Sequence, residues 1–428
     1  MQRIIQPTNQ IDAQIKLPGS KYVANRLVPL CALASSRSQL TNLVENDDIN
    51  HAIDGLGQLG YQFNRIEGGL EVLPRSQALA EAATIYTAHS GTFSRFVAAI
   101  AALETVPVTI NCSEKMATRP MQELFETLRA LSVDVDSPNE CLPAIITGSL
   151  KGAQCRLDAS RSSQYLSALL IVAPFLKDGL IIELEGELVS RAYVDMTIQL
   201  MSKMGVEVIE EGHCFIVKPG QVYQGIDYDI PCDPVSSTYF MGAAAIASGR
   251  IKIKDFDFDS TQGEARFYQV LEKMGVKVSK NNDALVIQSN GVLNGVEVDM
   301  GGMPDAVQTL AVVACFAEGK TRINNIAHLA YKESNRIEDT ATELRKVGVT
   351  VNSGLDFLEI EGLGRETELL KGAKIETHED HRMAMSMALL GIKIPEIEVL
   401  NAEVVAKSFP TFWKAMESIG VNSLEISG

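Results

Sequence analysis

An α/β fold of two lobes, each holding three copies of one repeated unit, is what this 428-residue sequence predicts. Two recurring phrases carry the prediction. One is an amphipathic helix ending in Gly-Val-x-Val or a close relative. A glycine at the C′ position followed by an alternating β-branched run marks a helix-to-strand passage. The other is an Ala-rich helix with no polar face, a pattern found where a helix is buried on every side.

In chain order the first phrase reads "GLGQLGYQF", "ETLRALSVDV", "QLMSKMGVEV", "VLEKMGVKV", "ELRKVGVTV" and "AMESIGVNSLEI". Its glycine position falls at Gly60, Ser132, Gly205, Gly275, Gly348 and Gly420, with spacings of 72, 73, 70, 73 and 72. The second phrase lies half a period away. It reads "PLCALASSRSQLTN", "VAAIAALETVPVTI", "ALLIVAPFLKDGLIIEL", "MGAAAIASGRIKIK", "LAVVACFAEGKTRINN" and "MAMSMALLGIKIPEIEV". Each unit thus carries one buried helix, one amphipathic helix and intervening strands. The period exceeds the roughly 20–50 residues of a solenoid repeat, so two globular lobes of three units are the natural arrangement. The segment "YDIPCDPVSS" marks the crossing near mid-chain. One lobe is expected at 1–13 plus 233–428 and the other at 14–232, with the active site in the cleft between them.

Composition narrows the class. No run of 18 apolar residues suggests a membrane span, and the N-terminal "MQRIIQPTNQIDAQIKL" reads as neither signal nor transit peptide, so a cytoplasmic chain is expected. Seven scattered cysteines without a CxxC pair argue against disulfides and structural zinc. Of the six histidines only His378 and His381 lie close, and no metal is expected. A formal net charge of −16 argues against a nucleic-acid partner.

Against that acidic background the placement of cations is informative. Lys21, Arg26, Arg95, Arg119, Arg191, Lys332, Arg336, Arg382 and Lys407 all fall in the Gly/Ser/Asp-rich loops that precede the helices, or in first turns. A helix N-terminus already carries about +0.5 charge and free N–H groups, so added cations oppose folding unless an anion arrives. A site for small polyanions follows. Arg forks bind carboxylate and phosphate bidentately, and Lys acts as a mobile point charge.

The same loops resemble, in order and spacing, those of the enolpyruvyl transferases, in the branch that acts on shikimate 3-phosphate. The matching motifs are "LPGSK…NR", "SGT…R", "TRP", "SSQYL", "PDA", "KESNR", "DHRMAM" and "AKSFP", and they span nearly the whole chain. The resemblance implies an inside-out, barrel-like arrangement of six βαβαββ-type units, three per lobe. It also implies metal-free transfer of enolpyruvate from phosphoenolpyruvate with release of phosphate, no cofactor and a monomer.

Site residues follow by the same resemblance. Asp305 is expected to hold and deprotonate the acceptor hydroxyl, Glu333 to protonate the methylene, and Lys21 to bridge both substrates. Phosphoenolpyruvate would be held by Lys21, Gly91, Arg119, Gln164, Arg336, Arg382 and Lys407. Shikimate 3-phosphate would meet Lys21, Tyr22, Arg26, Ser162, Ser163, Gln164, Ser190, Tyr193, Asp305, His328 and Lys332. His381 is expected to orient the site. The chain departs from the family pattern at Tyr22, His89, Phe96 and His328. Tyr22 and His328 fall where the family touches the acceptor, so a paralogue with a modified acceptor is the alternative reading. A non-catalytic polyanion-binding homologue is a further one, but two retained carboxylates would weaken anion binding. Cys112 reads as a buried small hydrophobe.

Overall fold

The computed structural model describes residues 1–8 and 10–426. The chain divides into two units, Met1–Pro18 with Pro231–Gly428, and Gly19–Ile230. The crossings expected at 13/14 and 232/233 therefore fall at 18/19 and 230/231. Strand pairing explains the shift. Strand Asp12–Lys16 runs parallel to Arg250–Lys254, so it belongs with the C-terminal half. Asp227–Asp229 stays in the other unit, as expected, parallel to Ser38–Thr41. The chain switches after Ile230, whose N–H meets the Thr41 carbonyl, since the Cys232 N–H already meets the Asp255 carbonyl.

Each unit contains three sheets. In the unit Gly19–Ile230 the middle sheet illustrates the pattern. Strand Ala83–Tyr86 leads into the buried helix Gly91–Ala101, which returns to the parallel strand Val108–Asn111. The amphipathic helix Gln122–Ala130 then leads to the antiparallel strands Asp134–Asp136 and Ala144–Thr147. Parallel neighbours need a crossover of this kind, whereas antiparallel ones need only a turn. The last repeat is completed by the N-terminus, where Gln2–Ile5 lies between Ile397–Val399 and Ser423–Ile426.

All six landmark residues at the amphipathic helix ends have left-handed backbones, from φ 67° at Ser132 to φ 101° at Gly275. The repeat read from sequence is thus a repeat of backbone conformation. Ser132 shows that the position demands the conformation even where glycine is absent, at a cost glycine avoids.

The Ala-rich helices form the cores. In one unit Pro234–Ala247, Val307–Cys315 and His381–Ala388 are buried along their whole lengths. A short hydroxyl ladder ties them: Thr238 Oγ1 lies 3.4 Å from Thr309 Oγ1, itself 3.1 Å from Ser386 Oγ. In the other unit Lys21–Ala32, Gly91–Ala101 and Ser163–Val172 play this part. A fully buried helix can present polar groups to ligand only at its ends. That places the functional loops at the helix N-termini.

Candidate active site

In the unit Gly19–Ile230, the predicted residues lie at the starts of four helices, with Arg119 in the loop before a fifth. Lys21 opens the helix Lys21–Ala32, and its Nζ lies 5.3 Å from the centroid of the Tyr22 ring. Tyr22 in turn lies against Tyr193, centroids 5.1 Å apart and planes tilted by 36°. Arg26 is buried beneath them. Its Nε donates to Thr197 Oγ1 at 2.8 Å and its Nη1 to the Tyr22 carbonyl at 2.9 Å. Burial pushes its guanidinium down to about 10, against the pull of Tyr193 and Tyr22.

Ser90 caps the helix Gly91–Ala101 by accepting from the Phe93 N–H. Two guanidiniums converge on Gly91. A Cβ there would lie 2.6 Å from Arg95 Nη1 and 2.9 Å from Arg119 Nη1, so only glycine leaves both in place. Arg95 donates to the carbonyls of Gly91 and Pro120. Among the described residues no carboxylate pairs with Arg26, Arg95 or Arg119. Arg26 and Arg95 are buried and Arg119 partly so. A buried charge without a counter-ion is costly, which makes this group the clearest sign of an anionic ligand.

Ser162 caps the helix Ser163–Val172 through the Gln164 N–H, and Gln164 Nε2 reaches across to Thr92 Oγ1 at 3.0 Å. Ser163 is buried, Ser162 and Gln164 partly so. Ser190 stands just before Arg191–Lys203 with a left-handed backbone, φ 52°. Arg191 departs from expectation. It is exposed and paired with Asp195 at 2.7 Å and Glu210 at 2.5 Å, a locally neutralised charge rather than part of an anion site. His89 Nδ1 lies 2.6 Å from Ser113 Oγ. Cys112, expected to be buried, is only partly so; burial still pushes its thiol up.

The other unit places the acids. Asp305 lies in the one-turn 3-10 helix Pro304–Ala306 and bridges two guanidiniums, with Arg336 Nη1 at 2.9 Å and Arg382 Nη2 at 2.8 Å. Arg336 continues to Asp380 through Nε at 2.6 Å and Nη2 at 3.2 Å. Three of its five N–H donors are thereby used on carboxylates. Asp380 also caps the helix His381–Ala388 by accepting from the Arg382 N–H at 2.8 Å. Burial pulls the Arg336 guanidinium down, and the two carboxylates raise it further than burial lowers it.

Glu333 forms the second acid centre. Its Oε2 lies 3.0 Å from His381 Nδ1 and its Oε1 2.6 Å from Lys407 Nζ. Burial raises this carboxyl, but the His381 hydrogen bond and the charges of His381 and Lys407 outweigh it. Glu333 sits far below the usual carboxylate range. Lys332 is exposed at the end of the 3-10 helix Ala327–Tyr331, which carries His328. Desolvation and the Lys332 charge push the His328 imidazole down, while Asp305 and Asp356 oppose them. Ligand-type atoms of Glu333, Asp380 and His381 lie within 4.8 Å of one another. Arg336 and Lys407 already meet the two carboxylates, which leaves the trio little of the excess negative charge that draws a metal ion.

Two residues here were not read from the sequence. Tyr239, inside a buried helix, has its hydroxyl 3.4 Å from Arg382 Nη1. Glu264 is 2% exposed, and its Oε1 accepts from the Asp305 N–H at 3.1 Å. A signal for Glu264 existed, since it is an acid in "STQGEAR", one of the loops that elsewhere gather cations. Burial first and the Asp305 charge second push its carboxyl up to about 7.

A pH dependence follows. An unfolded glutamate titrates near about 4.3. Between that value and 7 the folded chain keeps a proton that the unfolded chain has lost. Stability from this group therefore falls as pH rises through the window and levels above it. Glu264→Gln is expected to flatten that fall, as read from thermal midpoints across the window. An unchanged slope would show that Glu264 ionises normally.

Comparisons with known proteins bear on the family and the fold. The family model described as EPSP synthase (3-phosphoshikimate 1-carboxyvinyltransferase) matches residues 5–416. The chain is 36% identical over 424 residues to a 3-phosphoshikimate 1-carboxyvinyltransferase of Sulfurovum sp., covering 97% of this chain and 98% of that protein. It is 37% identical to the enzyme of the same name from Escherichia coli O6:H1, with the same coverage. The fold matches a solved EPSP synthase from Acinetobacter baumannii with a TM-score of 0.88 at 24% identity, covering 100% of this chain and 99% of that one. A family model spanning nearly the whole chain, and curated relatives 36–37% identical along 97% of it, place the chain in the EPSP synthase family, the 3-phosphoshikimate 1-carboxyvinyltransferases.

Proposed function

We propose that the chain transfers the enolpyruvyl group of phosphoenolpyruvate to the 5-hydroxyl of shikimate 3-phosphate and releases phosphate. The observation that carries the reading is Asp305 held between Arg336 at 2.9 Å and Arg382 at 2.8 Å, a carboxyl group set among cations that also suit an anionic substrate. Asp305 accepts the hydroxyl proton as the oxygen adds to the enol carbon. The methylene carbon takes a proton and becomes a methyl group. The resulting tetrahedral intermediate then loses a methyl proton and phosphate to give the enol ether.

Glu333 hands over the methylene proton. Its carboxylate is ionised as it stands, so the proton reaches it from Lys407 or His381, the groups touching its two oxygens. Arg119, with Gly91, Gln164, Arg336, Arg382 and Lys407, holds the phosphate and carboxylate of phosphoenolpyruvate. Placing such charge in advance is commonly the largest catalytic contribution. Lys21 bridges the substrates. Arg26, Tyr22, Tyr193, Ser162, Ser163, Ser190, His328 and Lys332 hold the acceptor. In this reading the chain is a cytoplasmic monomer acting on small molecules. No helix among the described residues is long and apolar enough to cross a membrane.

The test is phosphate release from phosphoenolpyruvate with shikimate 3-phosphate, against shikimate and UDP-N-acetylglucosamine as controls. Release with shikimate 3-phosphate alone supports the reading. Silence from folded protein, or release with another acceptor, moves attention to Tyr22 and His328. Within the same assay, Glu333→Gln is expected to lower kcat by about 10²–10⁴-fold, the usual worth of a positioned proton donor. Acceptor affinity by calorimetry should stay near normal, and an unchanged kcat would remove Glu333 from the proton path.

A further inference from the structure

We infer that Glu264 is the positioning residue that fixes Asp305, by clamping the main chain of the loop that carries it. The inference rests on the reading of Asp305 as the base. The loop's flanks are held within their own neighbourhood, the Gly301 N–H by Asp299 at 2.8 Å, the Met303 N–H by the Met300 carbonyl at 3.0 Å and the Ala306 N–H by the Met303 carbonyl at 3.2 Å. "GGMPDA" offers two glycines, then a proline with no N–H, then a single 3-10 turn. The first N–H groups of any helix lack intrahelical acceptors. The Asp305 N–H is one of these, and it finds its acceptor 41 positions earlier in sequence, at Glu264 Oε1, 3.1 Å away.

The approach is made from the main chain as well. Glu264 lies in the 3-10 helix Gly263–Arg266, and a Cβ on Gly263 would sit 1.7 Å from the Gly302 carbonyl oxygen. That turn is pressed directly on the Asp305 loop, and glycine at position 263 is what permits the contact. The Asp305 side chain is aimed by Arg336 and Arg382, but two guanidiniums orient a carboxylate only if its Cα is already placed.

The choice of residue is also telling. Glu264 is 2% exposed and lies beside a second acid, a costly place for a carboxyl. A brace with no bearing on the site could be a neutral side chain. Burial favours the proton-bound form of this carboxyl, which supplies an acceptor oxygen with less negative charge beside Asp305. Glutamine reproduces that neutral form in shape and in its acceptor; alanine removes both.

The experiment compares full-length wild type, Glu264→Ala and Glu264→Gln, by steady-state kinetics and by hydrogen exchange of the 301–308 segment. Glu264→Ala is expected to exchange faster there, with kcat lower by about 10- to 100-fold, the cost of misplacing a reacting group by about an ångström. KM for both substrates should hold. Glu264→Gln should restore slow exchange and recover most of the lost turnover. Unchanged exchange in Glu264→Ala, faster exchange with undiminished kcat, or Glu264→Gln failing as badly as Glu264→Ala would each overturn the inference. Should wild type show no turnover, the proposed reaction falls, and the exchange contrast still decides whether Glu264 clamps the loop.

Discussion

Asp305→Asn is expected to lower kcat by about three orders of magnitude, within the range for a positioned acid–base group. The argument is geometric. Asp305 accepts from Arg336 at 2.9 Å and from Arg382 at 2.8 Å. An asparagine has one acceptor oxygen and one NH₂, so one guanidinium would face a donor instead of an acceptor. The substitution thus removes the base and disturbs both arginines assigned to phosphoenolpyruvate. Phosphate-release kinetics should show a fall in kcat and a rise in KM for phosphoenolpyruvate together. A variant that retains kcat within about tenfold would exclude Asp305 as the base.

The largest effect on stability is expected at Arg336. Its side chain is 3% exposed, and the two carboxylates it joins, Asp305 and Asp380, are 10% and 0% exposed. Arg336→Met has a similar volume but leaves two buried acids short of a partner. Removing one member of a buried ion pair costs about 3–5 kcal/mol, because the charge left behind is uncompensated. Denaturant unfolding should show a loss of that size with an unchanged m-value. A loss below about 1 kcal/mol, the worth of an exposed pair, would mean that water or a rearranged neighbour compensates Asp380. Turnover should fall as well, since Asp380 also caps the helix that carries His381 and Arg382.

The two predictions share a cause. In the unit holding the acids, Asp305, Asp380 and Glu333 meet Arg336, Arg382 and Lys407 nearly charge for charge. In the unit Gly19–Ile230, Arg26, Arg95 and Arg119 have no carboxylate partners among the described residues. The cations of one unit are thus largely neutralised by its own acids, whereas these three in the other have no carboxylate partner among the described residues.

Much of this was legible in the sequence because it depends on local rules. The repeat could be read because each amphipathic helix must end in a left-handed residue before its strand, and glycine is the usual occupant; the backbone at Gly60, Gly205 and Gly348 obeys. Buried helices could be read from the absence of polar faces, as at Pro234–Ala247. Cations before helices stood out because helix N-termini ordinarily repel them. Tertiary structure decided which of those cations are neutralised. Arg191 and Arg336 look alike in sequence, each opening an amphipathic helix. One meets Asp195 and Glu210 at the surface, and the other is sealed between Asp305 and Asp380. Glu264, distant in sequence from Asp305, became meaningful only when the chain brought its oxygen to the Asp305 N–H. Local backbone preference is written in neighbouring residues, whereas charge pairing depends on distance and burial, which exist only once the chain is folded.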